Sequence, residues 1–278
     1  MPGVGALLCR RAEPPDVRVH DRTGTRSGNR GACRGGALLK TTVIVQARMG
    51  SSRLPGKVLA KLGGRTVLAH CLSRAAAAPG ADAVCLATSE LAIDDPVARA
   101  AAQLPGVTVF RGHETDVLSR YAGAARATNA DIIVRITCDC PLIDPLVCGE
   151  VLALRAKTGA SYASNNLTRE WPHGLDCEAF TRQALEAADR AATDSYDREH
   201  VGPWMRRAAG AAAAHLPGPG AAAARHRWTL DYPQDLAFLL ALWPHLPADR
   251  IPSWRDVMAT LDRHPEIVKI NAKLAVVG

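Results

Sequence analysis

The chain reads as an α/β protein, a three-layer sandwich built on a mostly parallel, Rossmann-like sheet. Short β-branched runs alternate with longer segments of helical period. Those runs are apolar at successive positions, as strands covered by helices on both faces must be. A glycine-rich cationic loop follows the first of them, at the end of the sheet where ligands bind in folds of this kind.

Taken in order, Val43 to Gln46 is the first strand, and Thr66 to Ala78 is a helix with Val67, Leu68, Cys71 and Leu72 on one face. Ala83 to Thr88 is the second strand, Asp95 to Gln103 a helix, Val107 to Phe110 the third strand and Asp116 to Thr128 a helix. Asp131 to Ile136 is the fourth strand, and Pro145 to Lys157 the helix after it, with Asp144 as N-cap and Pro145 in the first turn. The second half is less regular. It predicts strands at Tyr162 to Ser164, Leu175 to Phe180 and Arg227 to Leu230, with helices at Thr181 to Ala192, Asp197 to Ala208, Asp235 to Trp243 and Trp254 to Leu261. Ala211 to Ala224 is low-complexity Ala, Gly and Pro, read as a surface strand and loop.

Charge separates the chain into two parts. Residues 1–41 are rich in Gly, Arg and Pro and lack periodicity, so they are expected to be a disordered basic extension. Residues 1–40 hold eight Lys or Arg against Glu13, Asp16 and Asp21, which accounts for five of the seven net positive charges. The remainder is nearly balanced and argues against a broad nucleic-acid face. The eight cysteines form no C-x-x-C pair and no zinc spacing, and several lie in apolar runs as small hydrophobes. Gly3 to Leu8 is too short for a secretory signal, and no stretch is long and apolar enough to suggest a membrane partner. A reduced, cytoplasmic protein is expected.

The organising stretch is Val43-Ile44-Val45-Gln46-Ala47-Arg48-Met49-Gly50-Ser51-Ser52-Arg53-Leu54-Pro55-Gly56-Lys57. Gly50 and Gly56 allow backbone N–H groups close to a phosphate, the serines add donors, and Arg48, Arg53 and Lys57 add charge. A helix starting after Lys57 would bring its positive end there as well. The loop is not a Walker A motif: five residues separate Gly50 from Gly56, and Val58 follows the lysine where Ser or Thr is needed. A basic surface turn is the bland alternative, and the company of Gly, Ser, Pro and Lys behind a buried strand favours phosphate.

The pattern A-R-x-G-S-x-R-L-P-G-K resembles the nucleotide loop of sugar-activating cytidylyltransferases, the superfamily of the CMP-KDO and CMP-sialate synthetases, in the branch named for a spore-coat polysaccharide biosynthesis protein. Further motifs extend the resemblance over roughly residues 42 to 262. It implies a fold of the nucleotide-diphospho-sugar transferase type and a single cytidylyltransferase domain over 42–278. Its partners would be CTP and a small-molecule acceptor, with Mg2+ as cofactor, and relatives of this kind are often homodimers. Arg48 and Lys57 become the catalytic cations, and Gln46, Ala47, Arg48, Met49, Gly50, Ser52, Arg53, Lys57 and Thr137 the nucleotide-binding set.

Two aspartates stand at ends of predicted strands. Arg135-Ile136-Thr137-Cys138-Asp139-Cys140-Pro141-Leu142-Ile143-Asp144-Pro145 places Asp139 where a carboxylate can hold a hard cation. The segment resembles T-G-D-x-P-L-I-D-P, whose first Asp binds magnesium, with Cys138 in place of Gly. Asp231, in Leu230-Asp231-Tyr232-Pro233-Gln234-Asp235-Leu236, resembles the family's second metal-binding Asp, and Asp235 has a capping role open to it. Thr229 stands where the sialate branch has a further Asp. The acceptor side is expected from Asn165, His173, Asp176, Glu178, Arg198 and His200, because P-H-G-L-D-x-E-x-F and D-R-E-H-V look like signatures of the spore-coat branch. Alternation would put Asp176 and Glu178 on one strand face. The implied reaction is transfer of CMP from CTP to an acidic or phosphorylated sugar, or a related metabolite, for surface polysaccharide, with release of pyrophosphate. The alternative is a metal-dependent glycosyltransferase of similar fold.

Overall fold

The computed structural model describes residues 39–275, and the first 38 residues, including nearly all of the expected basic extension, lie outside them. Among the described residues nine strands occur in chain order: β1 (Thr41–Gln46), β2 (Lys61–Leu62), β3 (Arg65–Thr66), β4 (Ala83–Ser89), β5 (Val107–Gly112), β6 (Ile132–Thr137), β7 (Tyr162–Ser164), β8 (Glu178–Thr181) and β9 (Ala214–His215). β2 and β3 form a small hairpin, and the other seven form one sheet in the order β5-β4-β1-β6-β8-β7-β9. Only β8 runs against its neighbours.

The helices are α1 (Val67–Ala76), α2 (Asp95–Ala102), α3 (Val117–Ala127), α4 (Pro145–Thr158), α5 (Arg182–Ala191), α6 (Ser195–His200), α7 (Gly202–Ala209), α8 (Ala221–Ala224), α9 (Pro233–Leu242), α10 (Trp254–Arg263) and α11 (Pro265–Val268). Alternate residues of each central strand feed two separate cores. Val43, Val45, Val134 and Ile136 pack with Leu68, Leu72, Val97 and Val147 of α1, α2 and α4. Ile44, Ile133 and Phe180 pack on the other face with Leu118 and Tyr121 of α3, Leu185 of α5 and Met205 of α7. Each fully buried side chain of this size contributes about 1.5–3 kcal/mol. The aliphatic content therefore carries a stable core despite the low aromatic content.

β1 is the point at which the strand order reverses. Its register sets Gln46 beside Ala87 of β4 and Thr137 of β6, so the loops after β1 and β6 leave the sheet side by side. Open parallel sheets bind ligands at such a switch point. Tyr121 of α3 braces it from below, its hydroxyl donating to the carbonyls of Ile44 (3.2 Å) and Ile136 (3.3 Å).

Several sequence expectations need correction. The first strand includes Thr41, because the Lys40 and Thr41 amides donate to Asp131 and Asp82 (both 2.8 Å), so the end of the expected extension belongs to the sheet. No α-helix follows Lys57: Lys57–Leu59 is a single 3-10 turn and the chain enters the β2–β3 hairpin. Arg227 to Leu230 is not a strand; one bridge to His173 and the Leu230 amide on the Asp139 carbonyl (2.8 Å) replace a ladder. The strand expected from Leu175 begins only at Glu178. The helix expected over Asp197 to Ala208 breaks at Val201, which is fully buried at φ 67°, ψ −58°, a strained setting for a β-branched residue. Within Ala211 to Ala224, the alanines give the short edge strand β9 and the one-turn α8.

Candidate active site

The loop after β1 is held by its own backbone and by one buried acid. Gly56 sits in the left-handed region at φ 70°, and its amide donates to the Met49 carbonyl (3.2 Å), as does that of Ser51 (2.8 Å). The Met49 amide donates to Asp94 Oδ1 at 2.6 Å, while the Ser89 hydroxyl holds Oδ2 of the same carboxylate. Asp94 and Ser89, both buried, thus pin the loop to the end of β4, a role their surroundings in sequence gave no sign of.

Across the switch point, Lys57 joins the two aspartates. Its Nζ lies 2.8 Å from Asp231 Oδ1 and 3.3 Å from Asp139 Oδ2. Burial alone would lower the Lys57 pKa, but the two carboxylates outweigh it and hold the ammonium above its ordinary value. Asp231 also meets Arg53 (3.2 Å) and Arg227 (2.9 Å). Burial pulls its pKa upward, yet Lys57, Arg227 and Arg53 prevail and hold it at about 2. The backbone fixes this end as well. The Leu230 amide (2.8 Å) and the Thr229 hydroxyl (3.3 Å) donate to the Asp139 carbonyl, and the Asp235 carboxylate accepts the Asp231 and Tyr232 amides. Asp235 therefore caps α9, and Asp144 caps α4 through the Leu146 amide (2.8 Å).

These groups line a cleft of about 380 Å³ at the exits of β1 and β6. Of the expected nucleotide set, Gln46, Ala47, Arg48 and Gly50 face it, as do Ser52, Arg53, Lys57 and Thr137. Met49 does not, since its side chain packs toward the α1-side core. Asp139, Asp231 and His200 line the cleft too.

The other expected acceptor residues lie elsewhere, each occupied by protein. Asn165 is buried and bonded to the Leu175 carbonyl and the Cys177 amide (both 2.8 Å). His173 Nδ1 meets Arg227 Nη1 at 3.2 Å, and Asp176 accepts the Gly174 amide at 3.1 Å. Arg198 pairs with Asp116 and Asp189, clamping α6 onto α3 and α5. Glu178 pairs with Arg135 at 2.7 Å and accepts the Tyr162 hydroxyl at 2.5 Å. It shares no strand face with Asp176, which precedes β8. Gly202, beside the strained Val201, packs against Glu178: a Cβ there would clash with Oε1. Gly202→Ala is expected to displace Glu178 and cost about 1–3 kcal/mol in a denaturant melt; an unchanged midpoint would show the contact to be slack.

Sequence reasoning missed Arg120, Arg135 and Val117, which also line the cleft, as does Glu199 of the D-R-E-H-V segment. Arg135 left a signal, a lone cation inside the apolar run Ile132-Ile133-Val134-Arg135-Ile136.

Comparison with known proteins identifies the family. The family model described as Cytidylyltransferase matches residues 42–231. The spore coat polysaccharide biosynthesis protein SpsF of Bacillus subtilis is 31% identical over 231 residues, covering 80% of this chain and 94% of that protein. A 3-deoxy-manno-octulosonate cytidylyltransferase of Anaeromyxobacter dehalogenans is 43% identical over 105 residues, covering 37% of this chain and 42% of its own. Among solved structures, a cytidylyltransferase from Leptospira borgpetersenii superposes with a TM-score of 0.78 at 32% identity, covering 83% of this chain and 97% of that one. None of these favours a glycosyltransferase. The chain belongs to the cytidylyltransferase family and is a nucleotidyltransferase that moves CMP from CTP to an acceptor.

Proposed function

We propose that the acceptor is an acidic or phosphorylated sugar, or a related metabolite, destined for surface polysaccharide, and that the enzyme works with magnesium. The observation that carries this reading is the Lys57 ammonium held between Asp139 and Asp231, opposite the glycine-rich loop. Similarity to the spore-coat protein and, over a shorter span, to octulosonate cytidylyltransferases supports the class of acceptor.

The two carboxylates fit a hard divalent ion. They offer only oxygen donors, they converge on one point already taken by a cation, and Asp231 is ionised throughout the neutral range. Among the described residues no third acid, His or Cys joins them to complete a metal cluster. That suits magnesium, which commonly takes one or two carboxylates and fills its shell with water and substrate phosphate. When bound, the ion would neutralise charge on the triphosphate and the departing pyrophosphate.

The chain's own groups do the rest. Backbone amides of the loop and the Ser52 hydroxyl cradle the phosphates, while Arg48, Arg53 and Lys57 offset the charge that grows on the leaving oxygens. An acceptor oxygen attacks the α-phosphorus, forms the new P–O bond and gives up its proton, and the bond to pyrophosphate breaks. No protein nucleophile is needed. Pyrophosphate release from CTP and magnesium, measured against a panel of sugar acids and sugar phosphates, tests the reading. Release with at least one of them is expected, whereas release only with neutral sugars would overturn the acceptor class.

A further inference from the structure

Between α3 and the sheet, the wall of the cleft holds three buried polar atoms without a hydrogen-bond partner: Oε1 of Gln46 and the Nε of both Arg120 and Arg135. Unpartnered buried atoms are rare and costly, and three in one wall mark a place built to meet something else. Arg120 is the clearest case. It is 2% exposed, and its Nη1 donates only to the carbonyls of His113 (2.6 Å) and Glu114 (2.9 Å). No carboxylate lies within ion-pair distance of it among the described residues. Burial lowers its pKa, with Arg48 adding to the fall, and Tyr121, Asp94 and Asp116 oppose this without reversing it. A desolvated guanidinium with no carboxylate in contact is unfavourable in the free protein, and an arriving anion offsets that cost.

Arg135 stands nearby in a different state. Glu178, itself held by the Tyr162 hydroxyl, fixes one edge of its guanidinium, so the ion pair orients the group while Nε remains open. This anchor reaches into β8 and β7, away from the glycine-rich loop and toward the second half of the chain. The phosphate end of the cleft already has Lys57, Arg53 and the loop amides. A second cationic group on the α3 side therefore calls for a second anion.

We propose that Arg120, assisted by the free Nε–H of Arg135, forms an anion subsite that binds the carboxylate or phosphate of the acceptor, distinct from the loop that holds the triphosphate. The inference rests on the cytidylyltransferase reading and adds to it the residues that select a charged acceptor. Gln46 Oε1, an acceptor atom in the same wall, would take a neighbouring sugar hydroxyl.

Calorimetric titration of the full chain, first saturated with CTP and magnesium, tests this with three probes: glucuronate, glucose 1-phosphate and orthophosphate. The wild type is expected to bind at least one of the two sugar anions. Arg120→Gln should weaken that binding about tenfold or more, the usual effect of losing a charge-assisted contact, while CTP affinity stays within about twofold. The proposal is overturned if Arg120→Gln weakens CTP binding by as much, which would assign Arg120 to the nucleotide. It is also overturned if the sugar anions bind both proteins equally, if neither binds the wild type, or if only orthophosphate binds. Should Arg120→Gln fail to fold, Arg120→Lys keeps the charge but lacks the Nε–H, and should bind the same probe more weakly at an unchanged melting temperature; equal binding would sink the idea. Failure of the wild type to bind CTP at all would instead refute the nucleotide reading.

Discussion

Replacing Asp231 with asparagine is expected to lower kcat for pyrophosphate release by about 10²- to 10³-fold while the protein stays folded. The reason lies in how many cations this one carboxylate serves. Lys57, Arg53 and Arg227 all reach it, within 2.8 to 3.2 Å, and it is ionised across the whole neutral range. Asparagine keeps the shape and one acceptor oxygen but removes the charge that balances them. Lys57 would keep only Asp139 and Arg227 only Asp235, leaving the cleft more positive toward an anionic triphosphate, so CTP should bind no more weakly than in the wild type. The combination expected is a large fall in kcat with KM for CTP unchanged or lower, measured by coupled pyrophosphate release. A rise in KM at constant kcat would mean that Asp231 only helps to hold the nucleotide.

Lys57→Met is expected to cost a similar factor, about 10²- to 10³-fold in kcat/KM, because the lysine is the most buried of the loop cations and supplies charge where the leaving group forms. A wild-type rate would remove Lys57 from the mechanism. The same variant carries a pH signature. The Asp231 pKa, held at about 2 in the fold, lies below the ordinary carboxylate value near 4. Its stabilising contribution is therefore complete above about pH 4 and fades as the pH falls toward about 2. Lys57 is the foremost of the groups that depress this pKa. The stability gap between wild type and Lys57→Met should consequently be widest above about pH 4 and narrow below it. A gap that widens in acid would contradict the ion-pair assignment.

The first half of the chain was legible because its elements are long enough to show their period and three of its helices carry a side-chain cap. Thr66, Asp116 and Asp144 all accept an amide of the helix they precede, where the sequence had placed each helix start. The loop after β1 was legible as part of the cleft for a similar reason, since glycine, serine and cation at fixed spacing have few other uses. The second half failed where pairing is non-local. Arg227 to Leu230 has strand composition but finds a single bridge rather than a ladder, and nothing within four residues can reveal that. The expected acceptor residues are a different case. Asn165, Asp176, Glu178 and Arg198 are polar residues in a motif, yet their partners Leu175, Gly174, Arg135 and Asp116 are loop carbonyls, amides or charges whose positions follow from the tertiary fold. Glu178 emerges as the anchor of Arg135, a site residue at one remove.

The six cysteines among the described residues, 71, 85, 138, 140, 148 and 177, are all buried as free thiols. Burial pushes the thiols of Cys71 and Cys140 well above their usual range and that of Cys85 to about 12. They are spread through both halves of the folded region, so in the native state an alkylating reagent meets no accessible sulfur among them. The rate at which they become modified then measures how often each neighbourhood opens to solvent, giving this enzyme a set of built-in reporters of breathing that require no added label.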